Sequence, residues 1–190
     1  SIMGIWDTYN LMSNWGVLAN HGLFLAGAML PETERTRQYI AEAARRLASE
    51  INMQVYRDGS HWEQSPMYHN EVLHCYLDVM LLAQRCGIDL PPVIPDKTLA
   101  MCLYDMKSAK PNGCEPMMGD SDDIDQRDQI SKGAVIFSDP HLKAGGYERP
   151  DFDTIWDIGE EGLEAYGRLD SGLPEKTDFL LPDSGNAYMR

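Results

Sequence analysis

Apolar side chains recur every three to four residues along most of the chain, the spacing of one face of an α-helix. Residues 32–56 show this clearly, with an apolar face formed by Ile40, Ala43, Ala44, Leu47 and Ile51. A second face follows in residues 66–85, at Val72, Leu73, Tyr76, Leu77, Met80 and Leu81. The pattern predicts a mainly α-helical domain.

Capping residues indicate where these helices begin and end. Ser13 or Asn14 is a favourable N-cap for a first helix over residues 14–29. Ser65 is a favourable N-cap for the third helix, and Pro66 suits its first position because the N–H that proline lacks is unpaired there anyway. Gly87 is a typical residue at the end of a helix.

The helical pattern continues beyond residue 87 with interruptions. The sequence Pro-Pro-Val-Ile-Pro at residues 91–95 is expected to be non-helical. Asp96 is then expected to cap a fourth helix that ends near Ser108. Two more helices are predicted over residues 124–138 and 152–167.

Two segments lack the helical pattern. Residues 110–123 are irregular. From Thr177 onward, short strand-like segments flank a turn at residues 182–185, Pro-Asp-Ser-Gly. Successive antiparallel helices suggest a helical bundle or an α/α toroid, and helix order alone leaves both open.

If the first three helices run up, down and up, the first and the third are parallel. Their N-termini then lie at the same end of the domain. Asn14 begins the first of these helices and Tyr68 lies in the first turn of the third. Both side chains would then share one rim. Two helix N-termini facing one cleft favour an anion such as a carboxylate.

Tyr68 is the candidate for proton transfer. The positive end of a helix dipole favours an anionic phenol, so its pKa is expected to fall. A tyrosine tuned in this way can act as a general acid or base. The alternative is an ordinary capped helix in which Tyr68 packs on its neighbours.

Charge excludes some functions. The net charge is −14, from 30 acidic and 16 basic residues. Such a balance argues against a nucleic-acid partner, for which a basic face is expected. The negative net charge also fits poorly with an enzyme that acts on an acidic polymer. No apolar run is long enough for a membrane span, and no signal peptide is visible.

Metal-binding patterns are absent from the sequence. Residues 69–74 do not match the His-Glu-x-x-His pattern. The acidic residues 120–125 lack the glycine and the closing glutamate of a calcium-binding EF-hand loop. The four cysteines do not have metal-ligand spacing. No metal site or other cofactor site is therefore expected within this chain.

Several segments together resemble the heparinase II/III-like polysaccharide lyases, and the heparinase III type in order and spacing. The most specific of them is residues 58–69, Asp-Gly-Ser-His-Trp-Glu-Gln-Ser-Pro-Met-Tyr-His. Supporting segments are Asn14-Trp15-Gly16, Asn20-His21-Gly22-Leu23, Leu30-Pro31-Glu32, residues 116–123 and residues 181–190.

The resemblance implies a fold and a setting. Residues 1–176 would form part of an incomplete (α/α) toroid, and residues 177–190 the first strands of a β-sandwich domain. The chain would be an internal fragment of a bacterial enzyme that is periplasmic or secreted. Its partner would be an acidic polysaccharide or oligosaccharide, of heparan sulfate-like or alginate-like type.

The resemblance also implies a chemistry, β-elimination at a uronic acid. Asn14 would donate to the uronate carboxylate and so stabilise the enolate that forms when C5 loses its proton. Tyr68 would be both base at C5 and acid to the leaving O4, or the acid only. The family also uses a histidine from the β-sandwich, for which this chain offers no clear counterpart. A metal in that missing sandwich is possible.

Five residues near the expected rim are candidates for substrate contact: Trp15, His21, His61, Glu63 and His69. Each histidine has packing or hydrogen bonding as its ordinary alternative. Glu63 could bind a sugar hydroxyl or fix its own loop. Trp15 could stack on a sugar ring or lie in the core.

Two other classes of function remain open at this point. A glycoside hydrolase on an α/α barrel needs two carboxylates across a cleft, and Glu63 with Asp120 is the available pair. A non-catalytic carbohydrate-binding fragment is the other alternative.

Overall fold

The computed structural model describes residues 11–172 and 178–189, and the structural statements below refer to these. Its helices and strands follow in the order α1 (Asn14–Met29), α2 (Glu34–Gln54), α3 (Pro66–Cys86), α4 (Val93–Ser108), α5 (Arg127–Phe137), α6 (Pro140–Gly145), α7 (Phe152–Arg168), β1 (Phe179–Leu181) and β2 (Asn186–Tyr188). The prediction of a mainly α-helical domain is confirmed.

The first two helices form an antiparallel hairpin. Asn20, near the middle of α1, donates a hydrogen bond to Glu50 in the second half of α2. Gly27, near the end of α1, packs against Ile40 in the first half of α2. A side chain at Gly27 would meet α2 at once, so the missing Cβ allows the close approach.

Helices α1 and α3 are parallel. His21 lies 3.2 Å from Asp78, measured from Nε2 to Oδ2. Farther along both helices, Met29 and Arg85 line one surface cavity. The contacts advance in the same direction on both helices, so their N-termini emerge at the same end of the domain.

Apolar faces of the helices meet in one core. The predicted face of α3 is buried throughout, and α2 contributes Ala43, Ala44, Leu47 and Ile51. Burying a large apolar side chain stabilises the fold by roughly 1.5–3 kcal/mol. The core continues through α4, α5 and α6 with the buried side chains of Ile94, Met101, Ile130 and Leu142.

Local capping signals mark most helix ends correctly. Ser13 caps α1, and Ser65 caps α3 with Pro66 at its first position. Gly87 ends α3 in a left-handed conformation, with φ of 64°. Helix α2 begins two residues later than predicted, because Thr33 forms a reciprocal capping box with Thr36.

The expectation of a non-helical segment over residues 91–95 is correct for residues 91 and 92 and wrong for residues 93–95. Helix α4 begins at Val93 and includes Pro95 in its first turn. A proline is tolerated there because the N–H groups of the first turn have no intrahelical partner. Asp96 is therefore inside the first turn instead of at the cap.

Other boundaries also differ from the prediction. Helix α5 begins at Arg127 and not at residue 124. The short helix α6 was not predicted, although Asp139 caps it and Pro140 occupies its first position. Helix α7 extends over the predicted range but is interrupted at Gly159, which has φ of 69°.

The strands at the C-terminal end are present as predicted. Strands β1 and β2 pair antiparallel, with Phe179 opposite Tyr188, around the turn at residues 182–185. The boundary expected at Thr177 lies outside the described residues. That these strands begin a β-sandwich domain stays a prediction.

Gly59 offers a test of the packing of the loop that precedes α3. Its φ is 92°, and a Cβ there would overlap the backbone carbonyl of Ala100 on α4. We expect Gly59→Ala to lower the free energy of unfolding by about 3 kcal/mol, from steric overlap and backbone strain together. Denaturant unfolding measures the change.

Gly87→Ala is the matched control for this substitution. Gly87 also has positive φ, but nothing lies within 4 Å of the added Cβ. We expect a loss of about 1 kcal/mol from backbone strain alone. Equal losses for the two variants would show that the loop does not pack on α4 as described.

Candidate active site

The starts of α1 and α3 meet through Glu63. Asn14 is the first residue of α1, and its Nδ2 lies 3.1 and 3.0 Å from the two carboxylate oxygens of Glu63. The backbone N–H of Asn14 also donates to Glu63, at 3.2 Å. A residue of the loop before α3 is thus fixed to the first turn of α1.

Tyr68 lies in the first turn of α3 and faces Asp120. Its hydroxyl donates a hydrogen bond to Asp120 Oδ2 at 3.1 Å. The N-cap Ser65 donates to the carbonyl oxygen of Asp120 at 2.8 Å, and Met67 N–H donates to Ser121 Oγ at 3.0 Å. Residues 120 and 121 are therefore held on the first turn of α3.

The electrostatic surroundings of Tyr68 are negative. The hydrogen bond to Asp120 and the charge of Asp120 raise the pKa of the Tyr68 phenol, and the charge of Glu63 adds to this. The expectation of a lowered pKa is wrong. Asp120 lies far away in sequence, and its carboxylate outweighs the partial charge at the helix end. At neutral pH Tyr68 is a protonated phenol.

Asn14 and Tyr68 belong to one neighbourhood. Glu63 accepts hydrogen bonds from Asn14 and acts on Tyr68 through its charge. Both residues occupy first turns of parallel helices. The structure thus brings these two predicted residues to the same end of the domain, where Glu63 interacts with both.

His61 lies below this surface. Its ring is 1% exposed, and its Nε2 is 3.0 Å from Gln54 Oε1. Burial, with the charge of nearby His69, lowers the pKa of His61 to about 3. The ring is therefore neutral near pH 7 and can donate from Nε2 to the Gln54 oxygen.

Gln54 in turn forms hydrogen bonds with the start of α1. Its Nε2 donates to the carbonyl oxygens of Leu11, at 2.7 Å, and Ser13, at 3.2 Å. Sequence reasoning missed Gln54. The available signal was a polar residue three positions after Ile51, on the buried face of α2. His61 and Gln54 thus support the first turn of α1 from within.

His69 is also inside the protein. It is 1% exposed, with Nε2 lying 3.2 Å from Asp105 Oδ1 and its ring centroid 4.7 Å from that of Tyr104. Burial raises the pKa of Asp105, and the neighbouring His69 opposes that effect. The ring of His69 is therefore held inside the protein by Asp105 and Tyr104 and is closed to solvent in this structure.

Glu115 is a further buried carboxylate near the first turns of α3. Asn70 donates to it at 2.5 Å. Burial raises the pKa of Glu115 to about 6. No feature of the sequence alone distinguished this glutamate from the exposed acids around it.

His21 is not at the rim. Seven residues after Asn14, it lies about 10 Å farther along the helix axis. There it approaches Asp78, whose other neighbour is His74 at 3.4 Å. The structure therefore separates His21 from Asn14 and Tyr68 and places it between α1 and α3.

The two tryptophans near the site are accessible. Trp15 follows Asn14 and is 75% exposed, and Trp62 precedes Glu63 and is 37% exposed. Neither lies in the core. Each therefore presents aromatic surface to solvent next to a polar residue of the site, Trp15 next to Asn14 and Trp62 next to Glu63.

Metal-ligand side chains do not cluster in the part of the chain that the structure describes. No three His, Cys, Asp or Glu side chains come together there in an arrangement that could hold a metal ion. Within the same residues, no helix has the length and apolar character needed to cross a membrane.

The raised pKa of Tyr68 gives a test of the site's geometry. Replacing Asp120 with Asn removes the neighbouring negative charge, so we expect the pKa of Tyr68 to fall toward the ordinary tyrosine value. NMR titration of isotopically labelled tyrosine, with the Tyr68 signal assigned through Tyr68→Phe, measures it. Asp122→Asn, an exposed residue of the same segment, should leave the pKa unchanged. The same pKa of Tyr68 in Asp120→Asn and Asp122→Asn would contradict the contact between Tyr68 and Asp120.

Comparisons with known proteins agree with this architecture. The curated Heparin-sulfate lyase of Pedobacter heparinus is 28% identical over 119 residues, which cover 58% of this chain and 18% of that protein. The solved structure titled Crystal Structure of Heparinase III matches with a TM-score of 0.64 and 22% identity, over 70% of this chain and 22% of that one. The chain thus spans about a fifth of the length of these relatives.

The structural likeness confirms the fold prediction. The chain is mainly α-helical and forms part of an incomplete (α/α) toroid, with a short sheet at its C-terminal end. The family described as Heparinase II/III N-terminus matches residues 5–142, well over half of the chain. The chain therefore belongs to the heparinase II/III family.

Proposed function

We propose that this chain carries part of the active site of a polysaccharide lyase that cleaves a uronic-acid-containing polysaccharide by β-elimination. The observation that carries the proposal is the position of Asn14 and Tyr68 in the first turns of two parallel helices, with Glu63 hydrogen-bonded to Asn14 and its charge acting on the Tyr68 phenol. Family membership and the similarity to a lyase support the reaction class.

Asn14 is proposed to bind the uronate carboxylate. An amide donates hydrogen bonds without taking up a proton, so it can neutralise charge without competing as a base. Its Nδ2 already contacts a carboxylate, that of Glu63. In the proposal this amide nitrogen, which carries two N–H groups, keeps its contact with Glu63 and also donates to the substrate carboxylate, which stabilises the enolate formed when C5 loses its proton.

Tyr68 is proposed as the general acid. Elimination forms the C4–C5 double bond and breaks the C4–O4 bond, and the departing O4 needs a proton. A phenol with a raised pKa carries that proton at neutral pH. The acid-only form of the mechanism therefore fits better, and a group outside this chain, such as the histidine that the family resemblance implies, would act as the base at C5.

The substrate is proposed to be heparan sulfate-like or alginate-like. Trp15 lies beside Asn14 and is accessible enough to stack on a sugar ring. Glu63 can accept a further hydrogen bond from a sugar hydroxyl while it stays bonded to Asn14, because a carboxylate has several acceptor sites. His21, His61 and His69 would act by supporting the site instead of touching the substrate. A periplasmic or secreted location in a bacterium accords with a polymeric substrate.

Hydrolysis is the alternative reaction. Asp120 and Glu63 both act on the Tyr68 phenol, so two carboxylates do occupy the same neighbourhood. A hydrolase would use them as acid and as base or nucleophile. The two reactions leave different products, because only elimination leaves a conjugated double bond.

Tyr68→Phe tests the acid directly. In the protein as it is naturally produced, we expect kcat to fall by about 10²–10⁴-fold with little change in substrate binding, since phenylalanine keeps the ring but has no proton to give. Steady-state kinetics and direct binding measurements separate the two effects. Tyr39→Phe on α2, away from the site, is the matched control and should keep full turnover. Full turnover by well-folded Tyr68→Phe would refute the acid assignment.

Asn14→Ala tests the carboxylate donor. We expect a loss in rate on the order of 10²-fold, because one donor to the developing enolate is removed. The variant also loses the side-chain hydrogen bonds from residue 14 to Glu63, which would cost about 1 kcal/mol or more of stability. Circular dichroism and unfolding curves must show folded protein before the rate is interpreted. An unchanged rate would remove Asn14 from the mechanism.

A substrate panel tests the reaction class. We expect heparan sulfate or alginate to give products that absorb ultraviolet light, while a neutral glucan gives none. Reducing ends that appear without this absorbance would identify a hydrolase. Binding to the panel without any cleavage would indicate the non-catalytic alternative.

A further inference from the structure

The C-terminal β-hairpin contacts both ends of the loop that precedes α3. We call residues 58–65 the site loop, since it contains Glu63 and ends at the N-cap of the helix that carries Tyr68. The hairpin side chains involved, Ser184 and Asn186, are more than a hundred residues away in sequence.

At its first end the site loop is held through Asp58. Ser184 donates twice to Asp58 Oδ2, from its backbone N–H at 2.8 Å and from its hydroxyl at 2.9 Å. The other oxygen of Asp58 accepts from the Ser60 N–H at 3.2 Å. One carboxylate thus shapes the start of the loop and joins it to the hairpin.

At its second end the site loop is held through Gln64. Asn186 Nδ2 donates to Gln64 Oε1 at 3.1 Å and to Ser184 Oγ at 3.2 Å. A continuous chain of hydrogen bonds therefore runs from Asp58 through Ser184 and Asn186 to Gln64. The two ends of the loop are fixed by two residues of one hairpin, Ser184 in its turn and Asn186 at the start of β2.

Gln64 has a backbone conformation that needs such support. Its φ is 56°, in the left-handed region that a non-glycine residue rarely adopts. It lies between Glu63, which contacts Asn14, and the N-cap Ser65. If Gln64 relaxed to negative φ, the chain on either side would turn, and Glu63 and the start of α3 would move relative to α1.

We propose that Asn186 and Ser184 are positioning residues for the catalytic site: by holding Gln64 and Asp58 they keep the site loop in the conformation that sets Glu63 and Tyr68 against Asn14. This rests on the proposed function of those three residues. The hairpin is then part of the site's support, although none of its side chains is proposed to touch the substrate.

A matched pair of substitutions at Gln64 tests the proposal. Gln64→Ala and Gln64→Gly both remove the hydrogen bond to Asn186. Only alanine keeps the penalty for positive φ, because glycine adopts that region readily. We expect Gln64→Ala to lower kcat roughly tenfold with a smaller change in KM, as expected for misplaced catalytic groups, and Gln64→Gly to stay within about threefold of the parent.

Asn186→Ala gives the same test from the hairpin side. It should match Gln64→Ala, and adding Gln64→Gly to it should restore most of the rate. Leu180→Ala, at an exposed position of the same hairpin, is the control and should leave kcat unchanged. Turnover of Asn186→Ala at the parent rate, or equal losses for Gln64→Ala and Gln64→Gly, would overturn the proposal.

Amide hydrogen exchange gives a readout that does not depend on activity. The backbone N–H of Trp62 donates to the carbonyl oxygen of Gln54 at the end of α2, and that of Gln64 donates to the carbonyl oxygen of His61. We expect their exchange to rise about tenfold in Asn186→Ala, and unchanged exchange would overturn the proposal whatever the kinetics show. A fully active Tyr68→Phe, by contrast, would refute the proposed function while these exchange rates still decide whether the hairpin holds the loop.

Discussion

The carboxylate of Glu63 is the constraint on which the described site depends. It accepts both the side-chain and the backbone N–H of Asn14, the first residue of α1, and it comes from the loop that leads into α3. Two parallel helices could slide or rotate against one another within their apolar contact. A bidentate contact at their shared end restricts this motion. It thereby sets the position of the first turn of α3, which carries Tyr68, relative to the start of α1.

The support for this contact comes from inside the domain and from its C-terminal end. Gln54, oriented by the neutral ring of His61, holds the backbone that leads into α1. The hairpin holds the loop that carries Glu63. The start of α1 thus rests on buried polar side chains that are hydrogen-bonded to one another, as Gln54 is to His61 and to the carbonyl oxygen of Ser13.

Charge determines which proton chemistry Tyr68 can perform. A helix N-terminus supplies only partial positive charge, whereas Asp120 supplies a full negative charge through a direct hydrogen bond. The carboxylate prevails, so the phenol keeps its proton. The same negative charge repels an acidic polymer. The two cations that flank Asp120 in the sequence are already paired, Lys110 with Asp123 and Arg127 with Asp125.

Features that depend on a few adjacent residues were readable from the sequence. Ser65 with Pro66 and the terminating Gly87 marked α3 correctly, and apolar residues spaced three to four positions apart marked its buried face. Errors arose where local rules allow two outcomes, as with Pro95, which suits a first helical turn as well as a loop. Contacts between distant segments were not readable. Such contacts form only when the chain folds, as between Asp120 and Tyr68, Asn186 and Gln64, and Gln54 and Ser13. The pKa of Tyr68 was predicted in the wrong direction because its contact with Asp120 is one of them.

A double-mutant cycle between Asn14 and Glu63 tests the central contact most directly. The free energy of unfolding would be measured for the parent, Asn14→Ala, Glu63→Ala and the double variant. If the two side chains hold the ends of α1 and α3 together as described, the pair should show a coupling of about 1–3 kcal/mol. Losses that add to within about 0.5 kcal/mol would show that the contact does not contribute, and would contradict the account of the site.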